Sequence, residues 1–116
     1  MGKICFFNTH LGLSSEDRVQ QAEFIATIIE KTPFPVLLAG DFNCPPNSPE
    51  LQALSTLLRY CATEPINTYP ANKPGYPIDQ IYLSSDWEVL DVSVYPSTAS
   101  DHYPLVCSLR LPGSTD

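Results

Sequence analysis

The chain has 116 residues, enough for one domain with a single modest hydrophobic core. Hydrophobic residues make up 43% and charged residues 16%, against about 25% charged in an average soluble domain, and 12 prolines stand beside 5 glycines; coiled-coil, collagen-like and disordered chains are excluded. The net charge is −7 and the six basic residues are scattered, which speaks against long nucleic acid as a partner and suits a divalent cation better.

Lys3 to Phe7 is an almost wholly apolar run ending in Asn8-Thr9-His10, and it reads as a strand buried on both faces. Ser14-Ser15-Glu16-Asp17 then starts a helix, with a hydroxyl cap and acids in the first turn. Val19, Ala22, Ile25, Ala26, Ile28 and Ile29 give that helix one apolar stripe. Thr32-Pro33-Phe34-Pro35 ends it, because proline cannot continue the hydrogen-bond ladder. Val36 to Ala39 is a second buried strand, closing on Gly40-Asp41-Phe42-Asn43. Ser48-Pro49-Glu50 predicts a second helix with Leu51, Leu54, Leu57 and Leu58 as its buried stripe. Five prolines or glycines between Cys61 and Ile78 make that stretch a loop. Three strands follow: Asp79 to Leu83, Val89 to Tyr95 with Leu90, Val92 and Val94 on one face, and Leu105 to Leu111 with Leu105, Cys107, Leu109 and Leu111 on one side.

No stretch approaches the roughly 20 apolar residues that span a bilayer. The N-terminus runs straight into a strand without the form of a signal peptide. Cys5, Cys44, Cys61 and Cys107 are far apart and read as buried or partly buried thiols of a reducing compartment; the expected location is the cytoplasm. The element order indicates an α/β fold with a mixed sheet, one domain over residues 1–116. Two helices cover only one face of a sheet, yet the first two strands are apolar on both. The other face needs a partner.

The polar residues gather where strands stop, the usual place for sites in open α/β sheets. Singly, His10, Asp41, Asn43, Asp79, Asp101 and His102 each have a structural explanation, such as a turn acid or a strand-end histidine. Together they supply what phosphoester hydrolysis requires: carboxylates for a hard cation and for the attacking water, histidines and an amide for the developing charge.

Phe7-Asn8-Thr9-His10-Leu11, Leu38-Ala39-Gly40-Asp41-Phe42-Asn43, Ile78-Asp79-Gln80-Ile81-Tyr82 and Ser100-Asp101-His102-Tyr103-Pro104 resemble the ordered motifs of the endonuclease/exonuclease/phosphatase superfamily, the metal-dependent hydrolase fold of pancreatic deoxyribonuclease. A helix carrying Arg18 and Gln21 between the first two motifs fits the same pattern. The resemblance implies that Asp41 activates or aligns the nucleophilic water and that Asn43 holds a phosphate oxygen. It implies that His102, oriented by Asp79, stabilises the phosphoryl group or protonates the leaving group. His10 would contact the phosphate from the opposite side, and Asp101 with Asp41 would lie at a Mg²⁺ or Mn²⁺ site. In that superfamily these motifs form the second half of a four-layer α/β/β/α sandwich. The first half, which ordinarily supplies an Asn and the principal Glu ligand of the metal, has no counterpart before Glu16. The resemblance therefore implies half of the sandwich: one mixed sheet, helices on one face, the other face awaiting a partner. Two functions follow as expectations. One is a Mg²⁺-dependent hydrolase of small phosphoesters, or the C-terminal part of one, completed by its missing half. The other is a catalytically weak half-fold that homodimerises through its open sheet face.

Overall fold

In the computed structural model, which describes residues 2–113, strands and helical segments follow in the expected order; Met1 and residues 114–116 of the expected 1–116 unit lie outside the described residues. Strand β1 (Cys5–His10) is followed by helix α1 (Ser15–Glu30) and strand β2 (Val36–Asp41). The Ser14 hydroxyl accepts from the Asp17 N–H at 3.1 Å, and Glu16 and Asp17 occupy the first turn, so the capping signal in the sequence is used as written. Ala22, Ala26 and Ile29 are buried against the sheet, while Ile28, counted with the stripe, falls off it and is exposed. At the C-terminus the Thr32 hydroxyl donates to the Ile28 carbonyl at 2.9 Å.

The second helix is shorter than expected. A 3-10 turn (Pro49–Leu51) leads into one helical turn, α2 (Gln52–Ser55). The Ser55 and Thr56 hydroxyls bond back to the Leu51, Gln52 and Ala53 carbonyls and satisfy the helix end early. Leu57 and Leu58 are therefore delivered from the turn that enters β3 (Arg59–Tyr60), a two-residue strand with no sequence signal of its own. Strands β4 (Asp79–Leu83), β5 (Glu88–Val94) and β6 (Leu105–Arg110) complete the chain.

Four strands form a mixed sheet in the order β1-β2-β4-β3, with β1 parallel to β2 and β4 antiparallel to both β2 and β3. The last two strands do not extend it; β5 and β6 pair separately as an antiparallel hairpin. The expected common face of Leu90, Val92 and Val94 is broken by a bulge. Val89 pairs with Leu109 and Asp91 with Ser108, so Leu90 is the extra residue and is exposed. Val89 and Val92 instead join Cys107 and Leu109 against the core, and the alternation of β6 is as expected.

One core holds the molecule together. Leu38, Phe42, Leu51, Leu54, Tyr82 and Leu83 are fully buried, and α1 with the 3-10 turn and α2 packs over one sheet face. Strand β1 is not buried on both faces. Its exposure alternates, with Cys5, Phe7 and Thr9 turned inward and Phe6, Asn8 and His10 exposed. Phe6 is 65% exposed and Ile4 49%, since no layer covers that side of the strand. The uncovered face that two helices could not reach is present as an open surface.

Candidate active site

Register places the first three site residues. His10 pairs with Asp41 across β1 and β2, and Asp41 pairs with Asp79 across β2 and β4. Side chains alternate along strands, so this row lies on the face opposite the buried Leu38 and Tyr82, which is the open face. His10 Nε2 stands 3.6 Å from Asp41 Oδ2. The ladder continues past the strands, with Leu11 N–H donating to the Asp41 carbonyl at 2.9 Å and Phe42 N–H to the Ile78 carbonyl at 2.7 Å. Phe42 buries its ring 5.1 Å from Tyr82 and so anchors Asp41 from the inner side.

Gly40 makes the row possible. Its φ is +153°, and a Cβ there would stand 1.8 Å from the Thr9 carbonyl oxygen, so only glycine lets β1 and β2 approach so closely beside Asp41. Asn43 follows at φ +52°, its N–H donating to Asp41 Oδ1 at 3.0 Å. The Asn43 amide donates from Nδ2 to the Leu11 carbonyl at 2.6 Å, which ties the β1 and β2 exits together and leaves the acceptor Oδ1 as the other end of the amide. Gly12 is gripped from α1: its N–H donates to Gln21 at 2.8 Å and its carbonyl accepts from Arg18 at 3.2 Å. Arg18 also meets Glu50 at 2.7 Å, locking α1 to the 3-10 turn.

His102 arrives from the loop before β6. Its Nδ1 lies 2.6 Å from Asp79 Oδ2, and its Nε2 is 4.0 Å from Asp101 Oδ1. The Ser100 hydroxyl accepts from the His102 N–H at 3.2 Å, and Tyr103 N–H donates to the Thr68 carbonyl at 2.8 Å, so the loop is held on both sides. Partial burial works against a charged ring, but the hydrogen bond and charge of Asp79, with Asp41 and Asp101 behind it, outweigh that and raise the imidazole above its ordinary value.

The fold thus brings His10, Asp41, Asp79, His102 and Asp101 together in a connected series. Asn43 touches Asp41 through its backbone. Asp41, Asp79 and His102 each offer a ligand atom within 4.8 Å of the others; Asp101, expected with Asp41 at a metal, lies outside that group and is 76% exposed at its side chain. A groove of about 330 Å³ opens beside them, lined among others by Asn8, Ala39, Ile81 and Leu105.

Two residues of this site escape sequence reasoning. Thr68 is fully buried and donates its hydroxyl to Asp79 Oδ2 at 2.6 Å, yet in sequence it is one threonine in a proline-rich loop. Gln80 is also buried; its amide donates to the Cys44 and Pro77 carbonyls at 2.6 and 2.8 Å, and its oxygen accepts from the Tyr82 hydroxyl at 2.6 Å. Its position beside Asp79 on a strand marks it only as facing inward. The four cysteines are free, and burial pushes the Cys61 thiol up to about 12, far from a working nucleophile.

The donor chemistry fits a divalent cation on the Asp41 side. Asp79 Oδ2 already accepts from both Thr68 and His102, whereas Asp41 Oδ2 and Asn43 Oδ1 are oxygen ends of the kind Mg²⁺ or Mn²⁺ takes. Such ions prefer six ligands, more than these residues offer.

A mixed α/β sheet with carboxylates and histidines gathered beside its strand ends defines a class: α/β proteins with a polar site at the sheet edge, here one whose Asp41, Asp79 and His102 could hold a metal ion. The chain belongs to the endonuclease/exonuclease/phosphatase family, whose sequence profile matches residues 4–102. Among solved structures, it is similar to a conserved protein of unknown function from Enterococcus faecalis, with 25% identity and a TM-score of 0.79 over 91% of this chain and 49% of that one. It is similar in fold to a mannosyl-6-phosphatase from Bacteroides thetaiotaomicron, at 22% identity and a TM-score of 0.71, covering 91% of this chain and 51% of that one. The human Nocturnin catalytic domain matches at 21% identity and a TM-score of 0.61, over 90% of this chain and 46% of the other. The chain therefore spans about half the length of these matched structures. No curated protein matches the sequence. Among the described residues, no helix is long and apolar enough to cross a membrane.

Proposed function

We propose that this chain carries the phosphate-handling residues of a divalent-cation-dependent phosphoester hydrolase and works when its open sheet face is completed. The row His10–Asp41–Asp79, joined by His102, carries this reading. Asp41 accepts the proton of the attacking water and aligns it. His102 points Nε2 away from Asp79 and donates to a phosphoryl or leaving-group oxygen; Asp79, held by Thr68, fixes the tautomer and favours the charged ring. His10 donates to the phosphate from the β1 side. A Mg²⁺ or Mn²⁺ ion held by Asp41, with Asn43 as a further oxygen donor, would neutralise phosphoryl charge when bound; Asp101, outside the ligand group, would not hold it. The scattered basic residues favour a small phosphoester over long nucleic acid.

The test is hydrolysis of bis(p-nitrophenyl) phosphate with Mg²⁺ or Mn²⁺, repeated with EDTA and with Asp41→Ala and His102→Ala. Turnover is expected to fall at least about 100-fold in each variant. Activity that survives both substitutions removes the assignment.

A second reading rests on Phe6 and Ile4, large apolar side chains exposed on the sheet face opposite the helices. Two copies packed through that face would imitate a two-sheet sandwich with little or no catalysis.

A further inference from the structure

A chain of buried polar groups runs behind the ends of β2 and β4, and the chemistry proposed above does not use it. Gln80, 1% exposed, stands at its centre. Its Nε2 donates to the Cys44 carbonyl at 2.6 Å and to the Pro77 carbonyl at 2.8 Å, and its Oε1 accepts from the Tyr82 hydroxyl at 2.6 Å. The Tyr82 oxygen in turn accepts from the Asn47 N–H at 3.3 Å. Cys44 directly follows Asn43, and Pro77 lies two residues before Asp79. Gln80 also pairs with Gly40, the residue before Asp41, and its side chain alternates to the face opposite Asp79. It therefore fastens the segment carrying Asp41 and Asn43 to the segment carrying Asp79, from the inner side of the sheet.

The segment after Asp41 needs such an anchor. Asn43 and Asn47 both have left-handed backbones, at φ +52° and +60°, and non-glycine residues keep that conformation only where their surroundings fix it. Between them, Pro45 and Pro46 have no N–H to give to a neighbouring strand. Gln80 holds the segment by its Cys44 carbonyl and Tyr82 holds it by its Asn47 N–H. The Asn43 N–H donates to Asp41 Oδ1 at 3.0 Å, so the backbone angle at Asn43 also orients the Asp41 carboxylate. The chemistry of the bridge is specific to a glutamine. Its amide gives two donors and an acceptor, and all three are used; a methionine of similar length supplies no donor, and a glutamate gives up both amide hydrogens.

We propose that Gln80 is a positioning residue of the site: through the Cys44 carbonyl it holds Asn43, and with it the Asp41 carboxylate, in the orientation that takes a divalent cation. The proposal rests on the phosphoester reading above for the ion itself. The two halves of the site then have separate supports. Gln80 with Tyr82 stands behind Asp41 and Asn43, whereas Thr68 stands behind Asp79 and, through it, His102. Loss of the Gln80 bridge loosens the cation side and leaves the histidine side in place.

Two NMR measurements on the full chain test this without turnover: amide hydrogen exchange, and a Mn²⁺ titration followed by broadening of the amides that flank Asp41. They are made in Gln80→Met, which keeps the length and loses both donors, and in Tyr82→Phe, which keeps the core ring and removes the hydroxyl between Gln80 and Asn47. In Gln80→Met, exchange at Asn43 and Asn47 is expected to quicken at least about fivefold. Exchange at Tyr103, whose N–H donates to the Thr68 carbonyl on the histidine side, is expected to stay as in the wild type. Mn²⁺ affinity is expected to fall about tenfold in Gln80→Met and by a smaller factor in Tyr82→Phe. Exchange that quickens equally at Tyr103 means general loosening and overturns the positioning role. Mn²⁺ affinity that is unchanged in both variants overturns it too, and if Gln80→Met does not fold, Tyr82→Phe alone decides. A wild-type chain whose Asp41 region ignores Mn²⁺ overturns the cation-dependent phosphoester reading, and the Gln80 role with it.

Discussion

His102 stands between two carboxylates, 2.6 Å from Asp79 and 4.0 Å from Asp101, and its charge state follows from them. Its folded pKa is raised above the ordinary 6.5. Such a group adds stability that is fully present below the unfolded value and is lost as pH rises through the folded one. In the metal-free protein, NMR titration of the His102 ring is expected to give a midpoint above 6.5, and Asp79→Asn is expected to bring it down. An unchanged midpoint in that variant would remove Asp79 as the orienting partner. Gly40 is the other decisive residue. Gly40→Ala drives a Cβ into the Thr9 carbonyl, and urea unfolding should show a loss of about 2 kcal/mol or more. The Asp41-Phe42-Asn43 motif was legible in sequence, as was the glycine before it. Thr68 was not, because its value comes from a contact with Asp79, 11 positions away in the chain, and no local pattern announces that.

Elements were readable where capping, proline and periodicity agreed. Helix α1 begins at its serine cap and ends before Pro33, because those signals act through bonds to nearby backbone. The second helix and β5 departed from expectation for tertiary reasons: the chain must turn into β3 after Ser55, and a bulge resets β5 so that Val89 and Val92 face the core. The joint between α1 and the 3-10 turn is the Arg18–Glu50 pair, with side chains only 13% and 17% exposed. Desolvation would push the Glu50 carboxyl up, but the Ser15 hydroxyl and Arg18 outweigh it, and the folded value is lowered. That pair therefore contributes stability above the unfolded pKa of Glu50, lost as pH falls through the folded value. Arg18→Ala should cost about 1–3 kcal/mol at neutral pH, and the variant's denaturation midpoint should converge on the wild type in acid. A constant difference across pH would mean that packing, not charge, ties these elements.

At the scale of the molecule, the open side of β1 governs what the chain can do. Phe6 on that side is 65% exposed, and the row His10–Asp41–Asp79 lies on the same face. Whatever covers Phe6 therefore also borders the candidate site. If two copies cover each other, analytical ultracentrifugation at micromolar concentration shows a dimer, and Phe6→Glu returns it to monomer with unchanged circular dichroism. A wild-type monomer under those conditions rules out the homodimer reading.

The sequence by itself determined the order of every element but the two-residue β3, the α1 cap, the place of His10 and Asp41 where β1 and β2 stop, and the mismatch between two helices and a doubly apolar pair of strands. These depend on short-range bonding and on side-chain period, which a single chain records directly. Only the tertiary structure decided that His102 rests on Asp79, that Thr68 and Gln80 hold the site from behind, that the last two strands form their own hairpin, and that the Tyr69 ring lies against the imidazole. Those relations join segments far apart in the chain, and they exist only once the sheet register and the proline-rich loop have brought them within hydrogen-bond reach.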